Sequence, residues 1–122
     1  MTVLLLALAG GVGAGLRFMV DGLIRARART ALPVGTMLIN ISGSLLLGFL
    51  TGLVAGHYTD TAVGLILGTG FLGGYTTFST ASFETVRLIQ ARRTGLAVIN
   101  AAGTMASCVL AAAAGAALTL LV

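Results

Sequence analysis

Four long apolar runs set the plan of this chain, at about 3–24, 33–56, 62–90 and 95–121, with short polar connections between them. Each can cross a hydrocarbon core of about 30 Å as a helix rising about 1.5 Å per residue. The pattern predicts an all-α membrane protein, multi-pass in the cell membrane, with one four-helix transmembrane domain over residues 1–122. The first run lacks a preceding basic region and continues beyond the length of a signal-peptide core, so it is read as a span that is kept.

The third run is anomalous. As one helix it would extend to roughly 43 Å, and Gly73-Gly74 would fall about 18 Å in, near the midplane. Backbone with unpaired amides is tolerated at that depth only where protein covers it or where it lines a site for water or ions. Beyond the glycines come Thr76, Thr77, Ser79, Thr80, Ser82 and Thr85. A third helix broken at mid-membrane, with one hydroxyl-rich half, is the pattern of an ion or substrate site.

The other runs carry polar positions at helical spacing. The first has Gly11 and Gly15 at GxxxG spacing, then Arg17 and Asp21 one turn apart, a pair able to neutralise itself in part. Arg17 either snorkels to the interface or borders an aqueous vestibule. In the second, Pro33 stands in the first turn, where its missing amide costs little. Thr36, Asn40 and Ser44 follow on one face, continued by Gly48, Gly52 and Gly56. Asn40 lies deep enough that its amide needs a partner, either as glue between helices or along a hydrated path. Glu84 and Arg87 are spaced for a helix-end ion pair. On the fourth run Asn100, Thr104 and Cys108 form a polar row that can face Thr36-Asn40-Ser44 across a narrow track; Gly103, Ser107, Ala111 and Gly115 form a packing row beside it.

Composition narrows the chemistry. Hydrophobic residues make up 57% and charged residues 8%, too few charges to clothe a soluble domain of this size. The net charge of +4 comes from arginines, since no lysine is present. Arg25, Arg27 and Arg29 sit in the first connection, Arg87, Arg92 and Arg93 at the third, and none at His57–Thr61. That bias places the first and third connections in the cytoplasm and both termini outside. The charge therefore reports topology and contact with membrane lipid; with no Trp, no nucleic-acid partner is expected. Cys108 is alone, so no intrachain disulfide forms, and His57 has no second histidine for a metal.

No Ser-His-acid set, paired buried carboxylates or His/Cys cluster is visible, which excludes the common enzyme classes. A small multidrug-type exporter needs a carboxylate embedded in its first span, yet Asp21, Asp60 and Glu84 all avoid span centres. The remaining groups are neutral donors: Thr and Ser hydroxyls, the Asn40 amide and the positive rims of phenylalanine rings. Such donors replace an anion's water without trapping it, as conduction requires. An arginine near a mouth, as Arg17 is, concentrates anions.

Three segments carry a resemblance. Gly10-Gly11-Val12-Gly13-Ala14-Gly15-Leu16-Arg17, Gly35-Thr36-Met37-Leu38-Ile39-Asn40-Ile41-Ser42-Gly43-Ser44 and Gly73-Gly74-Tyr75-Thr76-Thr77-Phe78-Ser79-Thr80 resemble the Fluc/CrcB fluoride channels. The likeness spans all four runs in order, and the third segment is its most specific part. It implies an antiparallel, dual-topology dimer with two pores, passively exporting fluoride that accumulates when hydrogen fluoride enters and ionises. It implies a structural sodium ion, not transported, held by the backbone carbonyls of Gly73 and Thr76. It implies a fluoride path along Asn40, Phe78, Ser79 and Thr80, with Thr104 and Cys108 on a polar track where Asn100 replaces the usual tyrosine. Arg17 and Glu84 match charged vestibule positions.

One departure stands out. The family has a second pore phenylalanine three residues after the first; here that position is Ala81, and Phe83 points about 200° away on a helix. A homodimer would lack one ring in both pores. An antiparallel homodimer must also insert both ways, against an arginine count of six to zero. These features predict a heterodimer with an oppositely biased homologue; a non-conducting subunit that completes a partner's pore is the other reading.

Overall fold

The computed structural model describes every residue, Met1–Val122, and is wholly helical. Helix α1 is Thr2–Arg27 and α2 is Val34–Ala55. Helix α3 covers 61–75: an α-helical turn at Thr61–Gly64, a wider i→i+5 stretch at Leu65–Leu72 and a last turn at Gly73–Tyr75. Helix α4 is Ser79–Gln90. Helix α5 is Thr94–Leu121, with a second i→i+5 stretch at Ile99–Gly103. Three helices, α1, α2 and α5, are long and apolar enough to cross a membrane whole, and the chain is a multi-pass membrane protein.

Glycines dictate which helices meet. A Cβ on Gly74 would strike the Gly10 carbonyl, one on Gly13 would strike the Phe71 carbonyl, and one on Gly70 would lie 2.8 Å from the Leu6 carbonyl. Helices α1 and α3 therefore touch backbone to backbone. The second pair, α2 and α5, does the same through Gly48 at the Ala112 carbonyl and Gly115 at the Leu45 carbonyl. Where hydrocarbon surrounds the bundle, such close approach supplies the dispersion and dipolar contacts that hold helices together. Gly11 and Gly15 meet nothing within 4 Å, so the GxxxG pair on α1 faces outward and it is Gly10 and Gly13 that seat α3.

The glycine pair of the third run also plays a different part from the one its composition suggests. Gly73 is helical (φ −63°, ψ −36°), and the chain leaves the helix only at Thr76, which is extended (φ −80°, ψ 161°). Gly74 permits close packing on α1, whereas Gly73 meets no other helix; the interruption is Thr76-Thr77-Phe78, immediately after them.

Helices α2 and α4 end alike. His57 (φ 58°) and Arg92 (φ 59°) take left-handed backbone, and the following N–H groups, of Tyr58 and Arg93, donate back to the Leu53 and Leu88 carbonyls at 2.9 and 2.8 Å. This closure satisfies the terminal carbonyls without the glycine that usually permits it. Only 15 of 122 residues are buried, and Phe18, Phe78, Met105 and Leu110 are among many large apolar side chains facing outward. A chain with 57% hydrophobic residues and so small an interior presents its apolar surface to lipid or to another subunit.

Candidate functional site

The interruption after α3 is clamped by one side chain. The Asn40 Nδ2 donates to the Thr77 carbonyl at 2.8 Å, and the Thr77 N–H donates to Asn40 Oδ1 at 2.8 Å. In a continuous helix the Thr77 N–H would go to the Gly73 carbonyl. The Thr80 N–H is diverted too, donating to Thr77 Oγ1 at 3.2 Å where continuity would send it to the Thr76 carbonyl. The carbonyls of Gly73 and Thr76 are thereby freed from the helical ladder, together with that of Gly74, whose helical donor, the Phe78 N–H, makes no backbone bond. Thr76 itself is tied down by its hydroxyl, which donates to the Leu72 carbonyl at 2.9 Å. Tyr75 is held by its hydroxyl 3.1 Å from Ser42 Oγ and by its ring stacked on Phe71.

No group of three or more His, Cys, Asp or Glu side chains gathers anywhere in the molecule. A soft-metal site is therefore not built. Free peptide oxygens are hard neutral donors, and those of Gly73 and Thr76 suit a hard cation such as sodium. Both residues line a cavity of about 610 Å³ with Leu47, Thr51, Gly68 and Thr69, open on the outer surface of the bundle.

On the other side of the interruption runs a groove of about 520 Å³ between α2, α4 and α5. It brings together Asn40 and Ser44 with Asn100, Thr104 and Cys108, and Phe78 and Ala81 border it. The polar rows of the second and fourth runs thus share one groove, although Thr36 is not part of it. Asn100 is buried and its amide donates to Thr85 Oγ1 at 2.8 Å and to the Ala81 carbonyl at 3.3 Å. Its Oδ1 and the Thr104 hydroxyl have no partner within the chain. Phe78 is 87% exposed, its ring projecting from the interruption, whereas Phe83 lies against Arg87 and stays outside the groove.

Arg17 and Thr80 lie apart from that groove. They line a smaller cavity of about 280 Å³ with Phe18, Asp21, Thr36 and Thr77. Ser79 is exposed and borders neither. The residues drawn from the resemblance are therefore split around Thr77, which faces both spaces.

The charged groups are arranged differently from the spacing. Asp21 pairs with Arg25 at 2.8 Å, one turn towards the helix end, instead of with Arg17. Glu84 pairs with Arg25 at 2.9 Å, not with Arg87, and accepts from the Thr36 hydroxyl at 3.0 Å. An acid placed N-terminal to its base is the better i,i+4 order, which favours Asp21–Arg25 over Arg17–Asp21. Arg25 joins α1 to α4, and Thr36 joins α2 to the same carboxylate. This cluster was not legible from spacing, because its members come from three separate runs. Arg17 makes no ion pair.

Comparison with known proteins shows the family to which the chain belongs. The family described as CrcB-like protein, Camphor Resistance (CrcB), matches residues 4–116. Fluoride-specific ion channel FluC 1 of Leifsonia xyli subsp. xyli is 50% identical over 105 residues, covering 86% of this chain and 77% of that protein. Fluoride-specific ion channel FluC 2 of Cutibacterium acnes is 44% identical over 119 residues, 97% of each chain. Fluoride-specific ion channel FluC 1 of Ligilactobacillus salivarius is 41% identical over 109 residues, 89% of this chain and 91% of that one. These relatives are named as channels, not enzymes, and the chain belongs to the CrcB-like family.

Proposed function

We propose that this chain is one half of an antiparallel dimeric channel through which fluoride leaves the cytoplasm passively. The observation that supports the reading is the Asn40 clamp on Thr77, which frees the Gly73 carbonyl while the Thr77 hydroxyl, taking the Thr80 N–H, frees that of Thr76, beside a groove of neutral donors. In the membrane the interruption lies near mid-depth, where a two-fold axis in the membrane plane brings two such segments together. The Gly73 and Thr76 carbonyls of both subunits would hold a sodium ion there, and the ion would supply a fixed positive charge at the joint. Fluoride passes along Asn40, Phe78, Ser79 and Thr80, with Thr104 and Cys108 on the facing helix and Arg17 and Glu84 at the vestibules. Because Ser79 and Thr80 lie outside the groove that holds Asn40 and Thr104, a complete path draws on both subunits.

The favoured partner is an oppositely oriented homologue. Two features support it: six connection arginines on one side against none on the other, and Ala81 where a second ring would stand. Ala81 also supports a second reading, a subunit that completes a partner's pore without conducting through its own. The test is fluoride efflux from liposomes containing this chain alone, then with its candidate partner, in sodium. The proposal expects weak efflux alone, strong efflux together, and no chloride efflux in either. Full-rate fluoride efflux from the chain alone would refute the heterodimer, and no fluoride efflux from either preparation would refute the channel.

A further inference from the structure

We propose that the groove between the first connection and the end of α4 binds the phosphate of an anionic phospholipid from the cytoplasmic leaflet. The groove holds about 500 Å³ and is lined by Arg25, Thr30, Leu32, Glu84, Arg87 and Arg93, among others. Arg25 is committed to Asp21 and Glu84. Arg87 lies over the Phe83 ring at 5.9 Å, and neither Arg87 nor Arg93 has a carboxylate partner. Two guanidinium groups thus remain unneutralised at one groove. Guanidinium forks match the oxygens of a phosphate and can bond it in pairs.

Three further features favour a lipid over a free anion. Ile24, Leu32, Val34 and Leu88 line the same groove, giving apolar surface beside the charges for acyl chains to follow. The groove lies where α1 ends, α2 begins and α4 ends, the arginine-rich side that the charge bias assigns to the cytoplasm, and anionic lipid is met there. Glu84 Oε2, buried, has no donor within the protein. A headgroup carrying hydroxyls next to its phosphate, as phosphatidylglycerol does, supplies both the anion for the arginines and a donor for that carboxylate. Arg27 and Arg29 belong to the same connection but do not line the groove, which provides a charge-matched control.

The test is native mass spectrometry of the full-length protein released from micelles containing equal phosphatidylglycerol and phosphatidylcholine. Each arginine at an anionic surface is worth about a fivefold preference, so the unaltered protein should retain phosphatidylglycerol at least that strongly. The Arg87→Gln/Arg93→Gln double variant should retain the two lipids equally, while Arg27→Gln/Arg29→Gln keeps the preference. Inorganic phosphate at millimolar concentration should not displace the lipid. Equal retention of both lipids by the unaltered protein overturns the proposal, a result that needs no variant to fold. Equal loss from both double variants overturns it in favour of diffuse charge, and displacement by inorganic phosphate overturns it in favour of a free-anion site.

Discussion

Replacing Asn40 with leucine tests the interruption most sharply. The side chain makes two 2.8 Å hydrogen bonds to one peptide unit, so Asn40→Leu leaves the Thr77 N–H and carbonyl without partners. If the segment keeps its shape, each unpaired group costs about 1–3 kcal/mol, for a combined loss of about 2–4 kcal/mol after partial relaxation. If instead the Thr77 N–H returns to the Gly73 carbonyl, the loss falls to about 1 kcal/mol, because the helix regains a bond. That second outcome removes a carbonyl from the cation site. Either way, fluoride efflux from liposomes should fall at least about tenfold, the equivalent of about 1.4 kcal/mol. Where the helix rejoins, the sodium concentration needed for half-maximal efflux should also rise by at least that factor. Thermal unfolding in detergent separates the two cases by the size of the stability loss. Efflux and sodium dependence both within twofold of the unaltered protein would refute the role given to Asn40.

Other substitutions probe separate links. Gly74→Ala places a methyl against the Gly10 carbonyl and should cost about 1–3 kcal/mol by thermal unfolding. Gly15→Ala meets open space and should be neutral, or stabilising by up to about 1 kcal/mol; equal losses at both sites would contradict the packing described. Glu84→Gln removes the ion pair with Arg25 but keeps an acceptor for Thr36; with the Arg25 side chain 59% exposed, the cost should stay below about 1 kcal/mol and shrink at high salt. Ala81→Phe puts a ring at the rim of the groove beside Phe78, and fluoride efflux by the chain alone should increase if its own side forms a pore. An unchanged rate there would favour the pore-completing reading.

Much of the architecture is legible in the sequence because lipid leaves so few options. Backbone groups must be satisfied within each span, so apolar run length and arginine-rich connections suffice to mark α1, α2 and α5. Asn40 also announces itself, since an amide on a deep helical face needs a partner. Which partner it takes does not follow from the sequence, because Thr77 lies 37 residues away and the contact depends on how α2 crosses the interruption. Gly73-Gly74 mislead for a related reason. Glycine serves both as a breaker and as a contact surface, and only the nearness of Gly10 decides that Gly74 serves contact. The Arg25–Glu84–Thr36 cluster is invisible for the same cause: i,i+4 spacing finds pairs within a helix, whereas these groups meet across three.

In the function proposed above, fluoride conduction depends on a cation held by the Gly73 and Thr76 carbonyls. The most direct measurement is fluoride efflux from liposomes containing the chain and its oppositely oriented partner, with sodium replaced on both sides by N-methylglucamine. The account predicts that efflux collapses without sodium and returns when sodium is restored, with no sodium carried across. Efflux of equal rate in both media would contradict it.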